Sequence, residues 1–288
     1  MTMLAVRCPI GIHVHSRQGK GDKVLARDKL NIAGETHTES DARRALERQF
    51  CSAKTGSADY WTENDFPDLP LGGQQQAHAE PGADLMEYRA THGAAMLIVK
   101  FDKLGDEAIN VSATPVNSAA TAIGAFNTEV QELMQFRDRV DRSWRPSSDA
   151  VNRAVQAVYD NVESAYQAYD AALRNAPAQQ QLKAVRDFAN SRIGLRDLVP
   201  ALADAAGARL ADKRDAAELA KFMRRQRSTF MGLGAVFSKR KAGVWKVGDG
   251  HIQDLTDGTS KIDRSRINII TKKEFNEELA AWRGGQTT

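Results

Sequence analysis

Residues 119–172 read AATAIGAFNTEVQELMQFRDRVDRSWRPSSDAVNRAVQAVYDNVESAYQAYDAA, and apolar side chains recur there three and four positions apart. This spacing is typical of amphipathic helices. Pro146 interrupts the pattern and Ser147 or Ser148 can cap a second helix, so the sequence predicts a long antiparallel helical hairpin. The predicted seam consists of Ala119, Ile123, Phe126, Val130, Leu133, Val140 and Trp144, followed by Val151, Val155, Val158, Val162, Ala165, Tyr169 and Ala172.

Strand patterns stand on both sides of this helical region. The apolar run Met96 to Phe101 predicts a short strand. Near the C-terminus, short runs at residues 235–237, 243–247, 251–255 and 266–270 are separated by Gly and Asp-Gly turns, which predicts an antiparallel β-meander. Thr271 and Glu274 have the spacing of a capping box for a last helix. The predicted fold class is α+β and predominantly α-helical.

The chain divides into three predicted sections. Residues 1–116 form a mixed α/β region with a long loop at 52–82, residues 117–206 hold the helical hairpin with attendant helices, and residues 207–288 hold a basic helix, the β-meander and the terminal helix. The last section carries a net charge of +7 and the rest of the chain −4. A charge asymmetry of this size indicates association with an anionic partner.

Composition limits the classes of protein to which the chain can belong. No run of about 18 apolar residues is present, so no membrane span is expected. Two cysteines, Cys8 and Cys51, fit a reducing compartment, and no cofactor motif appears. We therefore expect a cytoplasmic protein, with export by a specialised secretion system left open.

A basic window lies between Glu218 and Asp249, where the sequence has eight basic residues and no acid. Aromatic residues are interleaved with the basic ones, as on surfaces that bind nucleic acid. None of the 15 lysines has an acid two positions before it, which disfavours a common metal-dependent nuclease centre. The sequence therefore predicts a non-catalytic nucleic-acid-binding protein, through Lys221, Arg224, Arg225, Arg227, Lys239, Arg240, Lys241, Trp245, Lys246, Arg264 and Arg266.

An alternative function is assembly with other protein chains. The seam of the helices at 119–172 is rich in valine and alanine, which allows close helix packing. Such a seam can also pair with a second copy or another protein. The chain would then be an assembly component of a mobile element, a virion or a secreted effector, of bacterial or phage-like type.

A second alternative is a metal-dependent hydrolase. His13 and His15 stand two apart in a predicted strand, so both imidazoles point to one side and can share a metal ion. The string Ile12-His13-Val14-His15-Ser16-Arg17, with His37 further on, resembles the opening motif of metal-dependent phosphoesterases of the polymerase-and-histidinol-phosphatase family. Ile12 stands where that motif has an acid, and no later histidine-rich motif supplies further ligands.

Overall fold

The chain folds into ten α-helices and one short 3-10 helix (Val116–Ser118) around a small parallel sheet, within the residues that the computed structural model describes: 24–37, 39–63, 65–67, 85–141, 148–238, 240–257 and 262–286. The strands are β1 (Leu30–Glu35), β2 (Tyr60–Trp61), β3 (Val244–Gly248) and β4 (Ile267–Ile270). The helices are α1 (Asp41–Thr55), α2 (Leu85–Ser112), α3 (Ala119–Asp141), α4 (Asp149–Leu173), α5 (Ala178–Asn190), α6 (Arg192–Arg196), α7 (Val199–Ala205), α8 (Ala216–Phe237), α9 (Asp249–Thr256) and α10 (Lys272–Gly284).

The sheet has the strand order β2-β3-β1-β4, and all three of its strand pairs are parallel. Helices α2 to α8 are inserted between β2 and β3, which lie side by side. Strands from the first and last predicted sections therefore belong to one sheet. Because the strands are parallel, their carboxyl ends meet at a single edge.

Each face of the sheet has its own apolar core. Leu30, Ile32, Trp245 and Val247 belong to the large cluster that includes α2, α8 and α9. The alternate positions Ala33 and Val244 pack with side chains of α1 and α10. This alternation follows from the two-residue period of a strand, and it places helices on both faces of the sheet.

Helix α2 runs through the centre of the helical region and corrects one prediction. Met96 to Phe101, predicted as a strand, lies inside α2. The run is apolar because α2 is surrounded by α3, α4, α5 and α8, so it needs buried side chains on most of its sides. A short continuous apolar run does not distinguish a buried strand from a buried helix.

The predicted C-terminal meander is also wrong. Residues 235–237 end α8 and residues 251–255 lie in α9, while β3 and β4 flank β1 as parallel neighbours. Gly248 and Asp249, predicted as part of a turn, instead mark the passage from β3 into α9. A connection between parallel strands on one sheet requires such a crossover, and a tight hairpin turn cannot provide it.

The two long helices of the predicted hairpin exist, but their seams mainly pack elsewhere. The strongest helix contacts of α3 are with α2, and those of α4 are with α5. An ion pair of 3.3 Å between Arg137 and Glu163 links α3 to α4 directly. The Ser148 cap and the Thr271–Glu274 capping box are confirmed. In the described part of the chain, no helix combines the length and apolar character that crossing a membrane requires.

Candidate functional site

A cavity of about 750 Å³ opens at the carboxyl edge of the sheet. It lies where β1 and β3 end and α9 begins, and α2, α3 and α8 complete its wall. In open parallel sheets this edge is the usual place for ligands. The polar residues of the lining are Glu35, Thr36, His37, Glu63, Arg89, His92, Arg139, Arg224, Arg227, Asp249 and His251.

Glu63 is the centre of the polar network in this cavity. Arg227 Nη2 donates to its Oε1 at 2.6 Å, and the backbone N–H of Gly248 donates to its Oε2 at 3.0 Å. Burial raises the pKa of Glu63, but His251 when its ring is protonated, His37 and Arg227 outweigh it and hold that pKa well below its usual range. Glu63 is therefore a buried carboxylate that keeps its negative charge.

His37 lies at the rim between two carboxylates. Its Nδ1 is 3.3 Å from Glu35 Oε1, and its Nε2 is 3.2 Å from Glu63 Oε2. Because both ring nitrogens face acceptors, both carry protons. The hydrogen bonds to Glu35 and then Glu63 raise the pKa of His37 to about 10, so the ring is an imidazolium at neutral pH.

Gly248 permits this arrangement through its missing side chain. A Cβ at this position would stand 2.7 Å from His37 Nε2 and 3.4 Å from Glu63 Oε2. Both side chains therefore approach the end of β3 more closely than any other residue would permit. Residues 248–250, Gly-Asp-Gly, resemble a turn in the sequence, but here Gly248 allows His37 and Glu63 to approach the backbone closely.

Four arginines line the same cavity: Arg89 from α2, Arg139 from α3, and Arg224 and Arg227 from α8. Burial, with the charge of Arg227, lowers the pKa of Arg89 to about 10, so Arg89 remains a cation at neutral pH. Two buried polar atoms of the lining residues, Glu35 Oε2 and Arg227 Nε, have no hydrogen-bond partner. Polar atoms of this kind are normally satisfied in native proteins, by the chain, by water or by a ligand.

His251, in the first turn of α9, is held by a chain of hydrogen bonds. Its Nδ1 lies 2.8 Å from Ser228 Oγ, which lies 2.8 Å from Asp254 Oδ2. Arg224 donates to both oxygens of Asp254, at 2.9 and 3.0 Å. Burial lowers the pKa of His251 in spite of the nearby Glu63.

His92, from α2, is the third histidine of the cavity. Burial lowers its pKa to about 3, and the positive charge of Arg227 acts in the same direction. His92 is therefore neutral, whereas His37 is charged. One cavity thus holds histidines in opposite charge states.

The predicted nucleic-acid residues are only partly brought together. Arg224 and Arg227 line the cavity. Arg225 lies 3.9 Å from Asp254 and 3.7 Å from Asp257, and Arg240 stacks over the Trp61 ring at 4.8 Å. Trp245 is fully buried and stacked on Phe66. Exposed positions are occupied by Lys221, Lys241, Arg264 and Arg266, and Lys239 lies outside the described residues.

Lys246 lies on the other face of the sheet, fully buried. Its Nζ is 3.4 Å from Glu47 Oε2 and 3.6 Å from the centre of the Phe275 ring. Glu47 also accepts hydrogen bonds from Tyr60 and Arg43, at 2.8 Å each. Lys246 is therefore a core side chain in a closed cluster.

The other candidates divide between buried and undescribed positions. Burial raises the pKa of the Cys51 thiol to about 12, so this thiol is not an activated nucleophile. His13 and His15 lie outside the described residues. Among the residues that the structure describes, no group of three or more His, Cys, Asp or Glu side chains is arranged to hold a metal ion.

Comparisons of this chain with protein-family models, with curated proteins and with solved structures find no match.

Sequence reasoning missed most of the cavity. Glu35, Glu63, Arg89, His92 and Arg139 belong to four different segments without a common motif. The acid-free basic window indicated Arg224 and Arg227. Residues 248–250, Gly-Asp-Gly, do line the cavity, but they were predicted as a turn and instead join β3 to α9. If β1 and β3 had been predicted as parallel neighbours, Glu35 and His251 would have been expected at the same edge of the sheet, because each lies at or just after the end of its strand.

Proposed function

We propose that the chain binds a phosphate-bearing ligand in the cavity at the carboxyl edge of the sheet. The observation that carries the proposal is the convergence of four arginines and the His37 imidazolium on one cavity. Five cations and three acids line the cavity, and Asp254, outside the lining, pairs with Arg224. Arginine groups that donate several hydrogen bonds suit phosphate oxygens in particular.

The burial of Arg89 supports an anionic ligand. Its lowered pKa reflects loss of water and repulsion from Arg227, and a bound anion would relieve both. The unpartnered Nε of Arg227 supplies a further donor, and Asp249 begins α9 at the same edge. Free N–H groups at a helix N-terminus also favour an anion.

A phosphate group can come from a small phosphorylated molecule or from nucleic acid. Nucleic-acid binding predicted from the basic window remains a proposal, supported by the exposed Lys221, Lys241, Arg264 and Arg266. The cavity restricts that proposal, because a space of about 750 Å³ holds one or a few phosphates, whereas a polymer also needs a path along the surface. Removing the charge of the exposed lysines should therefore weaken the binding of nucleic acid but leave the binding of a small phosphorylated molecule unchanged.

Calorimetric titration with inorganic phosphate, and separately with short RNA and DNA oligonucleotides at several salt concentrations, tests the proposal. Arg89→Gln and Arg139→Gln should each weaken phosphate binding by roughly 10- to 100-fold, since a hydrogen bond to a charged group is worth about 1.5–3 kcal/mol. Lys221→Gln and Lys241→Gln are matched controls outside the cavity lining.

The pattern of losses decides between the outcomes. Phosphate binding that only the cavity variants weaken supports a small phosphorylated ligand. Oligonucleotide binding that falls steeply with salt and with the lysine variants supports nucleic acid. If wild-type protein binds none of these probes at physiological salt, the proposal fails.

The seam predicted to pair with another chain is used inside this one: Val130, Val158 and Val162 are fully buried, where they stabilise the fold.

A further inference from the structure

We propose that His251 is the proton acceptor of the cavity, and that Arg224, Asp254 and Ser228 are positioning residues that hold its free Nε2 toward a hydroxyl of the ligand or a water molecule. The proposal rests on the ligand-binding function above and adds a chemical step to it. The class of ligand is a phosphorylated molecule that also carries hydroxyl groups.

The tautomer of His251 follows from counting protons around Ser228. The Ser228 hydroxyl has three neighbours at 2.8 Å: Asp254 Oδ2, the backbone oxygen of Arg224 and His251 Nδ1. Two of these neighbours are acceptors only, and the hydroxyl has a single proton. Ser228 therefore donates to an oxygen, and His251 Nδ1 must carry the proton that Ser228 accepts.

Asp254 is in turn oriented by Arg224, whose guanidinium holds both carboxylate oxygens. An arginine–carboxylate pair of this kind is geometrically rigid. The chain from Arg224 through Asp254 and Ser228 thus sets both the rotation and the tautomer of the His251 ring. Neutral His251 then has an unprotonated Nε2, which makes it a proton acceptor.

The groups that face His251 decide whether it stays neutral. Arg224 and Arg227 approach from α8, His92 from α2, Glu63 from the segment after β2, and Asp254 from its own helix. Burial and the Arg227 charge favour the neutral ring, while Glu63 and Asp254 favour the charged ring. Burial outweighs the two acids, so the pKa of His251 is lowered.

The proposed step is a proton transfer. The O–H bond of a ligand hydroxyl or water breaks, its proton bonds to His251 Nε2, and the electron pair stays on oxygen. The resulting imidazolium faces Glu63 Oε1, which lies 3.7 Å from Nε2. The activated oxygen is then a nucleophile beside the phosphate that the arginines hold. Glu35 Oε2, buried without a partner, is an acceptor for a second hydroxyl of the ligand.

Nuclear magnetic resonance of protein labelled with nitrogen-15 histidine tests the assignment without any ligand. His37→Gln, His92→Gln and His251→Gln assign the three rings. At neutral pH we expect His251 to have a protonated Nδ1 and an unprotonated Nε2, and His37 to have both nitrogens protonated. A His251 ring with its proton on Nε2, or one charged at neutral pH, would overturn the proposal.

Ser228→Ala tests the positioning residues. Without the Ser228 oxygen, Nδ1 loses its acceptor while Glu63 Oε1 still stands 3.7 Å from Nε2, so the proton of His251 should move to Nε2. Thr256→Ala is the matched control, because its hydroxyl, on the same helix as His251, donates only to backbone oxygens. An unchanged tautomer in Ser228→Ala would refute the role of Ser228. The wild-type spectrum still decides the tautomer if this variant does not fold.

Diethyl pyrocarbonate, which reacts with unprotonated imidazole nitrogens, tests access from the cavity. Peptide mapping should find His251 modified in wild type, at least tenfold more slowly in Ser228→Ala, and protected by inorganic phosphate. Modification without phosphate protection would mean that His251 does not face the binding site, which overturns the proposal. Calorimetry on the same samples reports phosphate binding separately, so failure of the binding function and failure of the proton-acceptor role are distinguishable.

Discussion

Two buried glutamates, Glu63 and Glu47, each hold a basic side chain beside β3, but on different sides of the sheet. Glu47 is fully buried and is closed in by Lys246, Tyr60 and Arg43 under α1 and α10. Glu63 pairs with Arg227 next to a cavity of about 750 Å³ that contains further arginines. A buried ion pair alone therefore does not indicate function. An adjoining cavity and a cluster of arginines distinguish the proposed binding site from the structural cluster.

The largest expected effect is on stability, in the closed cluster. Glu47→Gln leaves the Lys246 ammonium buried without its carboxylate, which should lower the free energy of unfolding by about 3–5 kcal/mol. Glu47→Leu combined with Lys246→Met removes both charges and should cost much less. Urea denaturation measures both variants, with the exposed Glu277→Gln as control. If Glu47→Gln lowers the free energy of unfolding no more than the double variant does, Lys246 does not depend on the Glu47 carboxylate.

The next effect concerns the stability of the protein in acid, through His92 in the cavity. His92 has its pKa lowered to about 3 from 6.5, so between these values the unfolded chain binds a proton that the folded chain does not. Stability should therefore fall as the pH falls through this window, by up to about 1.4 kcal/mol per pH unit from this residue. His92→Gln should remove that part of the slope in denaturation curves. Equal slopes in both proteins would show that His92 is not buried as a neutral ring.

A smaller effect is expected from the close approach at β3. In Gly248→Ala the new Cβ would stand 2.7 Å from His37 Nε2, so the imidazolium must shift and its contact with Glu63 is weakened. Phosphate affinity should fall about tenfold, the equivalent of roughly 1.4 kcal/mol. Gly124→Ala is the control, because nothing lies within 4 Å of its added Cβ. If both variants bind phosphate like wild type, His37 is not part of the site.

The smallest effect is the alkaline behaviour of His37. Its pKa is raised to about 10 in the folded state, so its charge contributes stability below 6.5 and loses that contribution as the pH rises through about 10. The side chain is 59% exposed, so solvent weakens the effect. The difference in unfolding free energy between wild type and His37→Gln should shrink with rising pH. If this difference in unfolding free energy does not change with pH, His37 stabilises the fold through packing and not through its charge.

The sequence predicted correctly those features that depend on residues close together in the chain. The caps at Ser148 and Thr271 and the amphipathic helices α3 and α4 were predicted, because each depends on neighbours within a few residues. The strand at Met96 to Phe101 was wrong, because burial on most sides of a helix removes the helical period from the pattern. The β-meander was wrong because parallel pairing depends on β1, more than 200 residues earlier.

The sequence by itself determined the helical class, the positions of several caps and the concentration of positive charge in the last section. The tertiary structure alone decided which of those charges meet. Pairing β1 with β3 brings Glu35, His37 and His251 to one edge, and packing α8 on α2 brings Arg227 beside Arg89 and Glu63. Charge is a property of each residue, whereas a binding site depends on distances between segments far apart in the chain, and these are set only when the cores on both faces of the sheet pack.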